Sequence, residues 1–99
     1  MSNRKRHHPG LELAKEIKRR GMTPYECAVR LKLRPPRIYE LCKGMTTLSP
    51  IMALRLARLL GGNPEDWLSM QAAYDLSVLE RKYARELRDI DPWVSKNEG

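Results

Sequence analysis

The chain has no phenylalanine, and only 6% of its 99 residues are aromatic. A core must therefore be assembled from Leu, Ile, Met and Ala with few large rings to fill it. β-Branched residues are sparse and no segment alternates apolar with polar positions, which excludes a half-buried sheet and leaves an all-α fold. The two cysteines, Cys27 and Cys42, have no further Cys or His at ligand spacing, so a metal site is not expected. They are expected as reduced thiols packed on apolar helix faces. No apolar run approaches the roughly 20 residues that a membrane helix needs, and the start MSNRKRHHPG lacks a signal peptide's apolar region. A cytoplasmic protein without a membrane partner is the expectation. Also missing are a Ser/His/Asp or Cys/His constellation and a Gly-rich phosphate loop, so neither enzymatic chemistry nor a cofactor is expected.

What is abundant is positive charge, and it is unevenly placed. Nineteen Lys and Arg face twelve Asp and Glu, for a net +7. Residues 1–62 carry fourteen of the bases and four of the acids; residues 63–99 carry five bases and eight acids. The first part is thus +10 and the second −3. A positive half-surface attracts phosphates through long-range attraction and counterion release, although a merely solvated basic face has the same composition.

The chain is short enough for one domain, expected over residues 9–90 with a basic arm at 1–8 and a tail at 91–99. A core of this size gives only about a few kcal/mol, so association with a second copy is a natural source of stability. Five helices are expected, at about 10–20, 24–31, 35–43, 50–60 and 64–88. The first has Leu11, Ala14, Ile17 and Leu13 on one stripe and stops at Gly21. Thr23 and Glu26 make a capping box with Pro24 at the first helical position, and Cys27, Ala28 and Leu31 follow at helical spacing. Pro35 and Pro36 reset the backbone before a third helix lined by Ile38, Leu41 and Cys42 and closed by Gly44. Two short helices on a tight turn form a DNA-docking unit. That motif lies in the basic part of the chain.

Ser49-Pro50 starts a fourth helix with Ala53, Leu54, Ala57 and Leu60 inward and Arg55 and Arg58 outward, ending at Gly61-Gly62. Asn63-Pro64 opens the fifth, with Glu65 and Asp66 at the helix end that favours negative charge. On that helix Trp67, Gln71 and Tyr74 share a face. A second line of Ala72, Leu76, Leu79, Tyr83, Leu87 and Ile90 resembles a coiled-coil seam. It is expected either to pack on the preceding helices or to meet a partner, with Trp93 as a further anchor. His7 and His8 belong to the arm and have no assigned ligand role, while Arg4, Lys5 and Arg6 are candidates for a neighbouring groove.

Three stretches then carry a resemblance: His8-Pro9-Gly10, Ala53-Leu54-Arg55-Leu56-Ala57, and above all Asn63-Pro64-Glu65-Asp66-Trp67-Leu68 running on to Gln71-Ala72-Ala73-Tyr74-Asp75-Leu76. Over about residues 8–80 the chain resembles the HigA-type antitoxins, within the phage-repressor-like (XRE) helix-turn-helix proteins. The resemblance implies a five-helix DNA-binding fold and a homodimer that represses its own operon. It also implies binding to a HigB-like ribonuclease toxin. Where relatives place a small N-cap and polar residues, this chain has Arg34, Pro35 and Pro36, and proline offers no donor to a base edge. Base reading therefore falls to Arg34, Arg37, Tyr39 and Glu40 or to DNA shape, with Arg37 the foremost candidate or, equally, a clamp on Glu40.

Thr23, Tyr25, Lys43, Thr46, Thr47 and Arg55 are the phosphate candidates. Leu76, Leu79, Tyr83, Leu87, Ile90 and Trp93 are the dimer or partner candidates. The acids Asp75, Glu80, Glu86, Asp89 and Asp91 are a candidate face for a basic toxin, unless they only balance Arg81, Lys82, Arg85 and Arg88. Two other functions fit the same residues: a free-standing repressor without a toxin, and an interaction module that has lost specific DNA binding.

Overall fold

Five of the seven prolines stand at helix starts, where their fixed φ suits the first turn and no N–H is lost. The computed structural model describes residues 7–95, and these form α1 (Pro9–Arg19), α2 (Pro24–Leu31), α3 (Pro35–Cys42), α4 (Pro50–Leu60), α5 (Pro64–Lys82) and α6 (Ala84–Arg88). No strand occurs among the described residues, and no helix there is long and apolar enough to cross a membrane.

The caps follow local chemistry, with two departures. At α2 the Glu26 N–H donates to Thr23 Oγ1 at 3.0 Å and the Thr23 N–H donates to Glu26 Oε1 at 2.9 Å, which completes the capping box. Ser49 accepts from the Met52 N–H at α4. Asn63, expected to cap α5, makes no side-chain hydrogen bond there. Glu65 and Asp66 in the first turn still complement the helix dipole, so that end does not depend on the Asn63 side chain. His8, expected in the arm, is instead the N-cap of α1 and only 4% exposed; Gly10 N–H donates to its Nδ1 at 2.9 Å. Imidazole nitrogen can accept as an N-cap carboxylate does, which is why α1 begins one residue earlier than the expected boundary. The basic triplet Arg4, Lys5 and Arg6 lies outside the described residues.

The core joins Leu13 and Ile17 of α1, Cys27, Ala28 and Leu31 of α2, Ile38 and Leu41 of α3, Leu48 of the loop between α3 and α4, Met52, Ala53 and Leu56 of α4, and Trp67 of α5. Each fully buried Leu or Ile contributes about 1.5–3 kcal/mol of transfer free energy. In α4 the inward set differs from the expected one, because Met52 and Leu56 are buried while Leu54 is 53% exposed. This helix is apolar nearly all round, so its pattern admits more than one inward face. Contact with α2 and α5 selects among them. Cys27 and Cys42 are free, and burial holds both thiols above the ordinary range, Cys27 at about 11. They are packing groups in their protonated form at neutral pH.

Two arginines tie helix ends together. Arg20 Nη2 donates to the Leu60 carbonyl at 3.0 Å, joining the ends of α1 and α4. Arg55 Nη1 donates to the Leu31 carbonyl at 2.7 Å, joining α4 to the last turn of α2. Each satisfies a carbonyl that the helix itself cannot, at the end where a cation is favoured. At the other end of α1, a Cβ on Gly10 would lie 1.6 Å from the Leu41 carbonyl oxygen. Only glycine lets α1 approach α3 this closely.

Beyond Gln71 the pattern changes. From Ala72 to Ser95 no residue is buried, and the continuous helix expected to residue 88 is interrupted at Tyr83, whose φ of −107° and ψ of 25° separate α5 from α6. A helix without tertiary packing on any face has only its own propensity to keep it straight.

Candidate nucleic-acid interface

α3 is positioned by its apolar side. Ile38 and Leu41 are buried against α1 and α2, which turns Pro36, Arg37, Tyr39, Glu40 and Lys43 to the surface. Arg34 is the N-cap and exposed, with no side-chain cap bond, so its guanidinium is free to reach outward. Arg34, Pro36, Arg37 and Glu40 line one shallow hollow of about 210 Å³. Arg37 and Glu40 form no ion pair, and among the described residues no carboxylate holds Arg37. The clamp anticipated as an alternative for Arg37 is therefore not made. One helical step separates the two residues, and their side chains leave the helix side by side into water.

Around this helix the phosphate candidates divide. Tyr25 is exposed in the first turn of α2, beside Thr23, whose hydroxyl is committed to the capping box. Lys43 is exposed at the C-cap of α3. Gly44, at φ +73°, turns the chain into the loop that presents Thr46 and Thr47, both exposed. Arg55 departs from expectation: its guanidinium is half-buried and bonded to the Leu31 carbonyl, so its first role is to pin α2 on α4. It also lines a hollow of about 330 Å³ with Arg30, Lys32 and Arg58, next to Leu31 and Leu59. The sequence pattern placed Arg58 outside but gave no sign of this grouping, which only the packing of α2 on α4 creates.

The loop itself is held by two polar side chains that no motif singled out for this task. Leu48 N–H donates to Gln71 Oε1 at 2.8 Å, and Gln71 Nε2 donates to Asp75 Oδ1 at 2.9 Å. His8 meets the Tyr74 ring edge-on at 4.9 Å and has a hydrogen bond with the Thr46 backbone. Burial pushes its imidazole below the ordinary value, and the Thr46 bond and the Asp75 charge oppose that shift. Buried apolar-rich surroundings favour neutral His8, the state in which Nδ1 can accept the Gly10 N–H.

With this geometry in place, the helix-turn-helix family model matches residues 13–68, more than half of the chain. Virulence-associated protein I of Dichelobacter nodosus is 39% identical over 75 residues, covering 75% of this chain and 69% of that protein. A solved addiction module antidote protein of the HigA family from Coxiella burnetii has 30% identity and a TM-score of 0.83, covering 89% of this chain and 98% of its own. The chain belongs to the HigA-type helix-turn-helix family. Pseudomonas aeruginosa antitoxin HigA, solved with the higBA promoter, shares the fold with a TM-score of 0.84 at 23% identity, over 90% of this chain and 99% of its own. The all-α architecture is thus that of regulators rather than of catalysts, and the resemblance to HigA proteins noted from the sequence holds.

The exposed seam is the second surface. Leu76, Leu79, Tyr83, Leu87 and Ile90 are each exposed by about two fifths or more, and Trp93 is 86% exposed. Packing of this line on the chain's own helices is not what the structure has. None of Glu80, Glu86, Asp89 and Asp91 is in an ion pair among the described residues, while Asp75 accepts from Gln71. The alternative, a balancing of these acids by Arg81, Lys82, Arg85 and Arg88, is not made: Lys82 and Glu86 stand four apart, but the helix breaks at Tyr83 between them, and Asp89, four beyond Arg85, lies past the end of α6.

Proposed function

We propose that this protein is a DNA-binding autorepressor and the antitoxin of a HigB/HigA-type pair. The observation that carries the DNA half is the uncommitted Arg34 and Arg37 at the N-terminal end of α3, flanked by Tyr25, Lys43 and the Thr46–Thr47 loop. In the helix-turn-helix docking geometry that end enters the major groove, where an arginine fork matches guanine O6 and N7. Tyr39 and Glu40 border the same face, and Glu40 can accept from cytosine N4. Lys43, the loop amides and the first turn of α2 fix register on phosphates. The Pseudomonas aeruginosa relative solved with its promoter supports this docking through its shared fold.

A homodimer through Leu76, Leu79, Tyr83, Leu87, Ile90 and Trp93 would pair two α3 helices on a palindromic operator, and two-fold pairing would cover an apolar line that a monomer leaves in water. The toxin half follows from the relationship to the addiction module antidote protein. Glu80, Glu86, Asp89 and Asp91, in no ion pair among the described residues, suit a basic partner.

Two measurements separate the halves. Arg37→Ala should cost about 1–3 kcal/mol in operator binding and relax one base position; equal weakening on every sequence would reassign Arg37 to phosphate. Co-expression with the adjacent reading frame should copurify a small basic ribonuclease and suppress its toxicity. Operator binding with no such partner would leave a free-standing repressor instead.

A further inference from the structure

Gln71 is 5% exposed, on the face of α5 that packs against the globule. A buried carboxamide there is costly unless both of its ends are bonded, and both are: its oxygen accepts the Leu48 N–H at 2.8 Å, and its nitrogen donates to Asp75 at 2.9 Å. Leu48, 1% exposed, is where the loop after α3 re-enters the core. Immediately before it stand exposed Thr46 and Thr47, and before those Gly44 in the left-handed conformation. The loop therefore has a pinned exit at Leu48 and a turn at its entrance. Its remaining tether is His8, which bonds the Thr46 backbone and sits under Gly44, where an added Cβ would meet the ring at 3.4 Å.

We propose that Gln71 is a positioning residue for DNA binding: through the Leu48 amide it holds the Thr46–Thr47 loop in the shape that meets a phosphate, with Asp75 fixing the carboxamide. This deepens the DNA-binding reading above and rests on it. The glutamine acts through the loop backbone and touches no DNA. Its effect is on a sequence-independent contact, so specific and random duplexes weaken together. Placing this control on α5 also makes the phosphate loop answer to the helix that carries the exposed seam, whose Leu76 follows Asp75 directly.

The test is the salt dependence of duplex binding by the full chain and by Gln71→Met, which keeps the side-chain length and removes both polar ends. Loss of one phosphate contact lowers the slope of log K against log salt by about 0.9 for each protomer bound. Affinity for promoter and random duplex should drop by the same factor, about tenfold, with helical content retained. A purely structural role would lower the melting temperature and leave the slope of the folded protein unchanged, and that result overturns the proposal. Asp75→Ala, at a half-exposed position, is the second variant should Gln71→Met fail to fold. It should lower the slope in the same direction by a smaller amount, and an unchanged slope there overturns the proposal too. A wild-type chain that binds no duplex would instead remove the DNA-binding reading, and the role of Gln71 with it.

Discussion

Residues 9–71 and residues 72–95 are both helical, yet they are held in different ways. In the first region every helix buries at least two residues, and Arg20 and Arg55 fasten helix ends across the globule. In the second nothing is buried, the helix breaks at Tyr83, and apolar side chains at 76, 79, 83, 87, 90 and 93 face outward. The difference teaches that the globule closes at Tyr74 and Asp75, which meet His8 and Gln71, and that beyond them the apolar line is left exposed. One region specifies a rigid scaffold for α3; the other carries the exposed line proposed above as a partner surface.

Truncations of matched size sharpen this contrast most. Leu41→Ala should destabilise the chain by roughly 2–5 kcal/mol in urea, whereas Leu87→Ala should change dilute-protein stability by about 0.5 kcal/mol or less. A cost at Leu87 that grows with protein concentration would show the seam closed between copies. Next comes the close approach of α1 to α3: Gly10→Ala must move the helix off the Leu41 carbonyl and should cost about 1–3 kcal/mol by the same measurement. A smaller loss, about 1 kcal/mol, is expected for Thr23→Ala, which removes the hydroxyl half of the α2 cap.

The smallest effect is a pH dependence at His8. Its pKa in the folded chain lies below the unfolded value of about 6.5, so the unfolded chain gains the proton first as pH falls. The stability it contributes is full above that pH and is lost as the pH drops through the folded value. His8→Asn, an N-cap that does not titrate, should flatten the urea midpoint between about pH 7 and about pH 5.

Much of this was legible in residue spacing because the helix boundaries are marked by short-range chemistry. Thr23 with Glu26, Ser49-Pro50 and Gly44 all act within a few residues of themselves, and their effects appear where the pattern places them. What could not be read depends on residues far apart in the chain. Arg55 resembles any exposed helix arginine until the Leu31 carbonyl, twenty-four positions away, is brought to it. Gln71 and Leu48 meet across twenty-three positions. His8 looked like part of a charged arm because a histidine cap has no strong sequence signature, and its burial is created by Tyr74 and the loop after α3. In α4 the ambiguity was of another kind, since Leu54 and Leu56 are equally apolar and only the neighbours decide which one is inside. The outward set of α3, by contrast, follows directly from burying Ile38 and Leu41.

On the proposed function, the α3 face reads DNA sequence despite Pro35 and Pro36. A salt titration comparing the chain's own promoter with a random duplex of equal length tests it most directly. The account predicts that promoter affinity exceeds random affinity by about 10³ or more, as specific binders show, and a ratio below about tenfold would contradict it.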